Sequence, residues 1–125
     1  MLFVNARAAP SSIHGLVLFA REFIPTGALV WKFTPDFDVV IPEHVFERLP
    51  PHTQEQVRHY AYFDHHQIAY VLSSDDDRFT NHADDPNTRD EGSYTYARRD
   101  IRAGEEITCD YREINMVDIP FAQAA

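Results

Sequence analysis

The apolar residues of this chain come in short bursts, and that pattern limits its fold more than any other feature. Segments 16–20, 28–33, 37–41, 67–72, 93–97 and 107–110 are rich in β-branched and aromatic residues and are bounded by turn formers, as strands are. Ile24-Pro25-Thr26-Gly27 and Ile101-Arg102-Ala103-Gly104 read as turns, because Pro25 presets one backbone angle and each glycine permits a positive one. Residues 42–62 differ. Val45, Phe46 and Leu49 recur at helical spacing until Pro50-Pro51 stops the run. Pro51 then suits the first turn of another helix, with Val57, Tyr60 and Ala61 as its apolar face. Short strands at uneven spacing, with one helical insertion, predict a mainly β domain of several small sheets and not a parallel sheet.

With 125 residues and nothing that looks like a linker or a repeat, the expectation is one domain over residues 1–125. A content of 44% hydrophobic and 13% aromatic residues belongs to a chain that folds. No apolar run approaches the roughly 20 residues of a membrane span, so no membrane partner is expected. Residues 1–7 carry no basic region followed by a long apolar stretch, so no export signal is read there. Cys109 is the single cysteine and can form no internal disulfide, which points to a reducing, cytoplasmic setting. The formal net charge of −9 argues against a nucleic-acid partner and suits a basic protein or peptide. An acidic surface also serves solubility, so charge alone decides nothing.

Three segments concentrate residues able to bind or react. The first is Ser12-Ile13-His14-Gly15-Leu16-Val17-Leu18-Phe19-Ala20. The second is Arg78-Phe79-Thr80-Asn81-His82-Ala83-Asp84-Asp85-Pro86-Asn87, and the third is Ala103-Gly104-Glu105-Glu106-Ile107-Thr108-Cys109-Asp110-Tyr111. Each alone has an ordinary reading. Gly15 suits a turn, Asn81 and His82 suit a polar cap, and Tyr111 suits a core position with its hydroxyl satisfied.

In this order and spacing the segments resemble the SET-domain protein lysine methyltransferases. The family pattern S-x-x-H-G-x-G-[VL]-F-A resembles residues 11–20, RF-x-NH-[SA]-x-x-PN resembles residues 78–87, and GEE-[LI]-T-x-D-Y resembles residues 104–111. The likeness spans residues 11–112 and leaves 113–125 as a C-terminal tail. It implies a mainly β, SET-domain (β-clip) fold with a knot-like crossing, in which the chain from Asn81 to Asn87 passes beneath the last strand. It also implies methyl transfer from S-adenosylmethionine to the ε-amine of a lysine in a protein substrate, with no metal.

By this resemblance the cofactor lies against the backbone of His14, Gly15 and Leu16 and is held by Asn81 and the backbone near His82. Arg78, Phe79 and Tyr111 stand at the same cleft. Tyr111 takes the catalytic position and Tyr60 that of a second active-site tyrosine. Tyr60, Tyr62, Cys109 and Phe121 line the substrate channel.

Two positions depart from the pattern. Val17 stands where the family has a second glycine, and valine cannot adopt all of glycine's backbone angles. Cys109 stands where tyrosine or phenylalanine is usual. Residues 112–125 contain no cysteine for the family's zinc segment. Ile114, Met116, Ile119 or Phe121 is therefore expected to close the lysine channel, or else a second subunit in a homodimer.

A non-catalytic module of the same fold that binds a basic peptide is the alternative function. A metal-dependent site using His59, His65, His66 or His82 with Asp75, Asp76, Asp77, Asp84 or Asp85 is a weaker one. Residues 73–77 read as a solvated turn, and His65 and His66 would point apart if extended.

Overall fold

The computed structural model describes residues 1–13 and 15–114. His14 and residues 115–125, among them Met116, Ile119 and Phe121, lie outside the described residues.

Four small sheets carry the chain. Strands β1 (Ala6–Ser11) and β2 (Gly15–Ala20) form an antiparallel hairpin. β3 (Leu29–Lys32), β8 (Thr88–Glu91) and β9 (Tyr94–Ala97) form a sheet with β9 in the centre. β4 (Val39–Pro42), β5 (Tyr62–Asp64) and β6 (Ala69–Leu72) form another, centred on β6. The last is a short parallel pair of β7 (Asn81–His82) and β10 (Thr108–Cys109). The expected strands at 16–20, 28–33, 37–41, 67–72, 93–97 and 107–110 each overlap an observed one, with ends that differ by up to two residues.

The helical insertion is also present, as α1 (Glu43–Phe46) and α2 (Pro51–Tyr60). Pro51 sits at the first turn of α2, where a missing N–H costs nothing. The Gln54 side chain then donates to the carbonyls of Phe46 and Leu49, both at 3.1 Å, and caps the end of α1. Phe46, Val57, Ala61 and Tyr70 bury together and pin both helices to the β4–β6–β5 sheet. The main core, built from Leu18, Ile24, Val30, Ile101 and Ile107, lies between the hairpin and the β3–β9–β8 sheet.

Parallel pairing of β7 with β10 requires a long crossover, and the chain makes it through β8 and β9. Asn87 fastens the crossing. It donates through Nδ2 to the Glu106 carbonyl at 2.8 Å and accepts through Oδ1 from the Thr108 N–H at 2.9 Å. Thr88, fully buried, donates its hydroxyl to the Thr108 carbonyl. On the far side, Ile107 N–H donates to Leu18 and Ala20 N–H to Glu105, so β2 flanks the same segment.

Val17 is completely buried in a regular strand, paired with Ala9, and has no positive φ. The backbone there asks nothing of it that a valine cannot give.

Residues 73–77 are not a solvated turn. They lead into a 3-10 turn at Asp76–Phe79, and their carboxylates accept backbone N–H groups from the N-terminal segment. Leu2 donates to Asp75 at 2.8 Å and Ala8 to Asp76 at 2.9 Å. Asp77 turns inward.

Candidate active site

Where the crossing meets the β5 strand, a cavity of about 340 Å³ opens between the two larger sheets. Of the residues singled out in the sequence, Tyr60, Tyr62, Arg78, Cys109 and Tyr111 line it. Gly15, Leu16, Phe79, Asn81 and His82 do not. Phe79 and His82 pack against the lining residues Tyr60 and Tyr111, and Asn81 pairs with Thr108 next to Cys109.

Tyr111 joins the two groups. Its hydroxyl donates to the Thr80 carbonyl at 3.3 Å, and its backbone N–H donates to His82 Nδ1 at 3.1 Å. That second bond requires an unprotonated Nδ1, so the neutral ring carries its proton on Nε2, which faces Asp84 Oδ1 at 3.1 Å. A line of hydrogen bonds thus runs from Asp84 through His82 to Tyr111. Strand pairing sets Thr108 opposite Asn81 and Cys109 opposite His82. Phe79 packs edge-on against Tyr60, with ring centres 5.7 Å apart, and Arg78 lies over the Phe79 ring.

Gly15 and Leu16 form the exposed start of β2. Gly15 holds φ at +78°, a left-handed angle that favours glycine, and no atom lies within 4 Å of where a Cβ would stand. Asn81 makes no side-chain hydrogen bond among the described residues.

Two buried carboxyls, Asp77 and Asp90, line the cavity. Burial pushes the Asp77 carboxyl up to about 7, with Asp75 and Asp90 adding to the rise and the Ser73 hydroxyl opposing it. Burial likewise raises Asp90 to about 6, against a hydrogen bond from Thr95. The phenols of Tyr62 and Tyr111 and the Cys109 thiol are all pushed up, chiefly by burial. All three stay protonated at neutral pH.

His65 and His66 lie in a turn instead of an extended segment, and both reach the cavity wall. Among the described residues no three of His, Cys, Asp and Glu stand close enough to hold a metal ion.

The sequence reading singles out neither Trp31 nor Asp90 on this wall, and it includes Asp77 only among the aspartates of the metal-site alternative. One signal existed for Asp90. It lies two residues after the buried Thr88 on β8, so strand alternation places it on the same inward face. Nothing local distinguishes Asp77 from its two exposed-looking neighbours.

The SET domain family matches residues 15–112, so the chain belongs to the SET-domain family. No curated protein matches the sequence. Among solved structures the chain is similar to a putative histone methyltransferase of Plasmodium falciparum. The two are 22% identical over 86% of this chain and 93% of that chain, with a TM-score of 0.63. It is also similar to a humanized mutant of the Chaetomium thermophilum Polycomb Repressive Complex 2 bound to an inhibitor, at 23% identity and a TM-score of 0.66. An apo, mutated form of the Chaetomium complex gives 23% identity and a TM-score of 0.69. In both Chaetomium cases 89% of this chain is covered but only 15% of the other, so the chain spans a small part of that protein. The expected family and the mainly β fold of several small sheets are borne out.

Proposed function

We propose that the chain transfers a methyl group from S-adenosylmethionine to the ε-amine of a lysine in a protein substrate. Its membership of the SET-domain family supports this class of reaction. So does the fold it shares with a protein described as a putative histone methyltransferase. One arrangement carries the reading: a buried tyrosine, Tyr111, lines the cavity and is hydrogen-bonded through its N–H to His82, next to Asn81 on β7.

The residues at the start of β2 and on β7 fit the cofactor. Backbone at Gly15 and Leu16 is open to close approach, and the Asn81 amide is available to a ligand's polar end. When bound, S-adenosylmethionine supplies an electrophilic methyl group on a positively charged sulfur.

The rest falls to the chain itself. Tyr111 keeps its proton, so its hydroxyl acts as a fixed dipole that orients the amine and not as a base. Hydrogen bonds at both its backbone and its hydroxyl hold the ring in place, which is what a positioning mechanism needs. The attacking lysine must be neutral. From an ordinary pKa near 10.4 that costs about 4.6 kcal/mol at pH 7. Apolar walls at Val30, Val71 and Ile107 disfavour the ammonium, an effect that an ionised Asp77 or Asp90 in the same cavity opposes. The charge of −9 suits a substrate lysine in basic surroundings.

Calorimetric titration with S-adenosylmethionine tests the cofactor half. Wild type should bind, and Asn81→Ala should weaken binding about ten- to a hundred-fold, since a charge-assisted hydrogen bond is worth roughly 1.5–3 kcal/mol. Equal binding by both proteins would remove Asn81 from the site.

A further inference from the structure

One row of side chains crosses the β3–β9–β8 sheet on its cavity side. Trp31 is paired with Thr95, and Thr95 with Asp90, so the three stand directly opposite one another on the same face. Thr95 donates its hydroxyl to Asp90 Oδ1 and fixes that carboxylate. Both ends of the row carry a polar atom with no partner among the described residues: the buried Asp90 Oδ2, and the indole N–H of Trp31, which is only 4% exposed. Across the cavity Asp77 presents a second buried carboxyl, bonded to Ser73.

Neither carboxyl bonds an arginine or lysine among the described residues, although the charge of Arg98 acts on Asp90 and that of the N-terminal amine on Asp77. Arg78, the nearest candidate on the wall, is turned to the Ser74 carbonyl and the Phe79 ring. An occupant with a positive charge and an N–H would satisfy the open Asp90 oxygen, while Trp31 would meet it as ring surface and not through its N–H. Trp31 and Tyr62, packed edge-to-face at 6.2 Å, offer an apolar wall for a slim aliphatic stem.

We propose that Asp90, supported by Thr95 and faced by Asp77 and Trp31, is an amine-recognition site that takes an alkylammonium bearing at least one N–H. This rests on the methyl-transfer reading, for which it would be the group that captures the substrate lysine. Capture and attack are compatible. The N–H bond can break as an O–H bond forms on Asp90, leaving a neutral amine beside a neutral carboxyl, and the proton passes from Asp90 to water at the cavity mouth. A quaternary ammonium has no N–H to give and is excluded by the same chemistry.

The sequence has a single tryptophan, so one indole N–H resonance in a 15N NMR spectrum reports this wall directly. Wild-type protein at pH 8 would be titrated with n-butylammonium, with butyltrimethylammonium and with 1-pentanol. The site predicts a saturable shift with n-butylammonium and at least ten-fold weaker binding of the other two. Asp90→Asn should weaken n-butylammonium at least ten-fold while S-adenosylmethionine binds as before. Equal or tighter binding of the quaternary ion would mean an aromatic cage, and would overturn the proposal, as would an unchanged Asp90→Asn. Should that variant fail to fold, the three wild-type titrations decide alone. Amine selectivity without cofactor binding would sink the methyl-transfer reading and leave the site. Cofactor binding without amine selectivity would sink only the site.

Discussion

Asn87→Ala should loosen the crossing that holds the site together. Asn87 is 4% exposed and makes two well-formed hydrogen bonds to backbone, at 2.8 Å to the Glu106 carbonyl and 2.9 Å from the Thr108 N–H. Alanine removes the donor and the acceptor together, at a depth where water does not replace them easily. Each such loss costs about 1–3 kcal/mol, which gives about 2–6 kcal/mol if both are felt in full. In a domain of this size each kcal/mol lowers the melting temperature by about 3–6 °C, so a fall on the order of 10 °C or more is expected. Urea unfolding followed by far-ultraviolet circular dichroism measures the change directly, and an unchanged m-value would confirm a comparable unfolding transition. The variant should also lose turnover, because Cys109 and Tyr111 hang from the same segment. A destabilisation below about 0.5 kcal/mol would show that the crossing does not depend on Asn87.

Tyr111→Phe keeps the ring but deletes the hydroxyl. Cofactor affinity measured by calorimetry should survive while turnover falls about 10²–10⁴-fold. Cys109→Tyr would place a ring and a hydroxyl in the cavity beside Tyr111, shifting peptide products toward monomethyl-lysine by mass spectrometry, whereas wild type should reach dimethyl-lysine. Asp77 is held near 7 mainly by burial, above its unfolded value, so its ionisation opposes folding. That penalty is absent near pH 4, grows through pH 7 and is complete above it, so wild-type stability should fall as pH rises through that window. Asp77→Asn should be more stable than wild type at pH 8, by on the order of a few kcal/mol, with the advantage vanishing near pH 4 in urea midpoints.

The strands legible in the sequence were those whose own residues favour extension, such as the Ala69–Leu72 stretch. Those missed are held by their partners. Ala6–Ser11 contains three alanines and a proline, and Thr88–Glu91 is mostly charged, yet each becomes a strand by pairing with a better one, β2 or β9. The family motifs located Tyr111 and the crossing of the Asn81–Asn87 segment, because each depends on specific residue types, but not that Asn81-His82 pairs as a strand. They did not locate the acidic wall. Three consecutive aspartates read as solvated, and only the fold reveals that two of them bind backbone while the third is buried. Trp31 gave no signal either, since a tryptophan in a strand is ordinarily core.

Methyl transfer itself is tested by incubating the purified protein with S-adenosylmethionine carrying an isotopically labelled methyl group and a cell lysate. Labelled protein is then digested and read by mass spectrometry. The structure predicts label on the ε-nitrogen of a lysine in basic surroundings, abolished or strongly reduced when Tyr111→Phe replaces wild type. Tight cofactor binding with no label on any lysine would contradict it, and would make the chain a binding module that keeps the fold without the reaction.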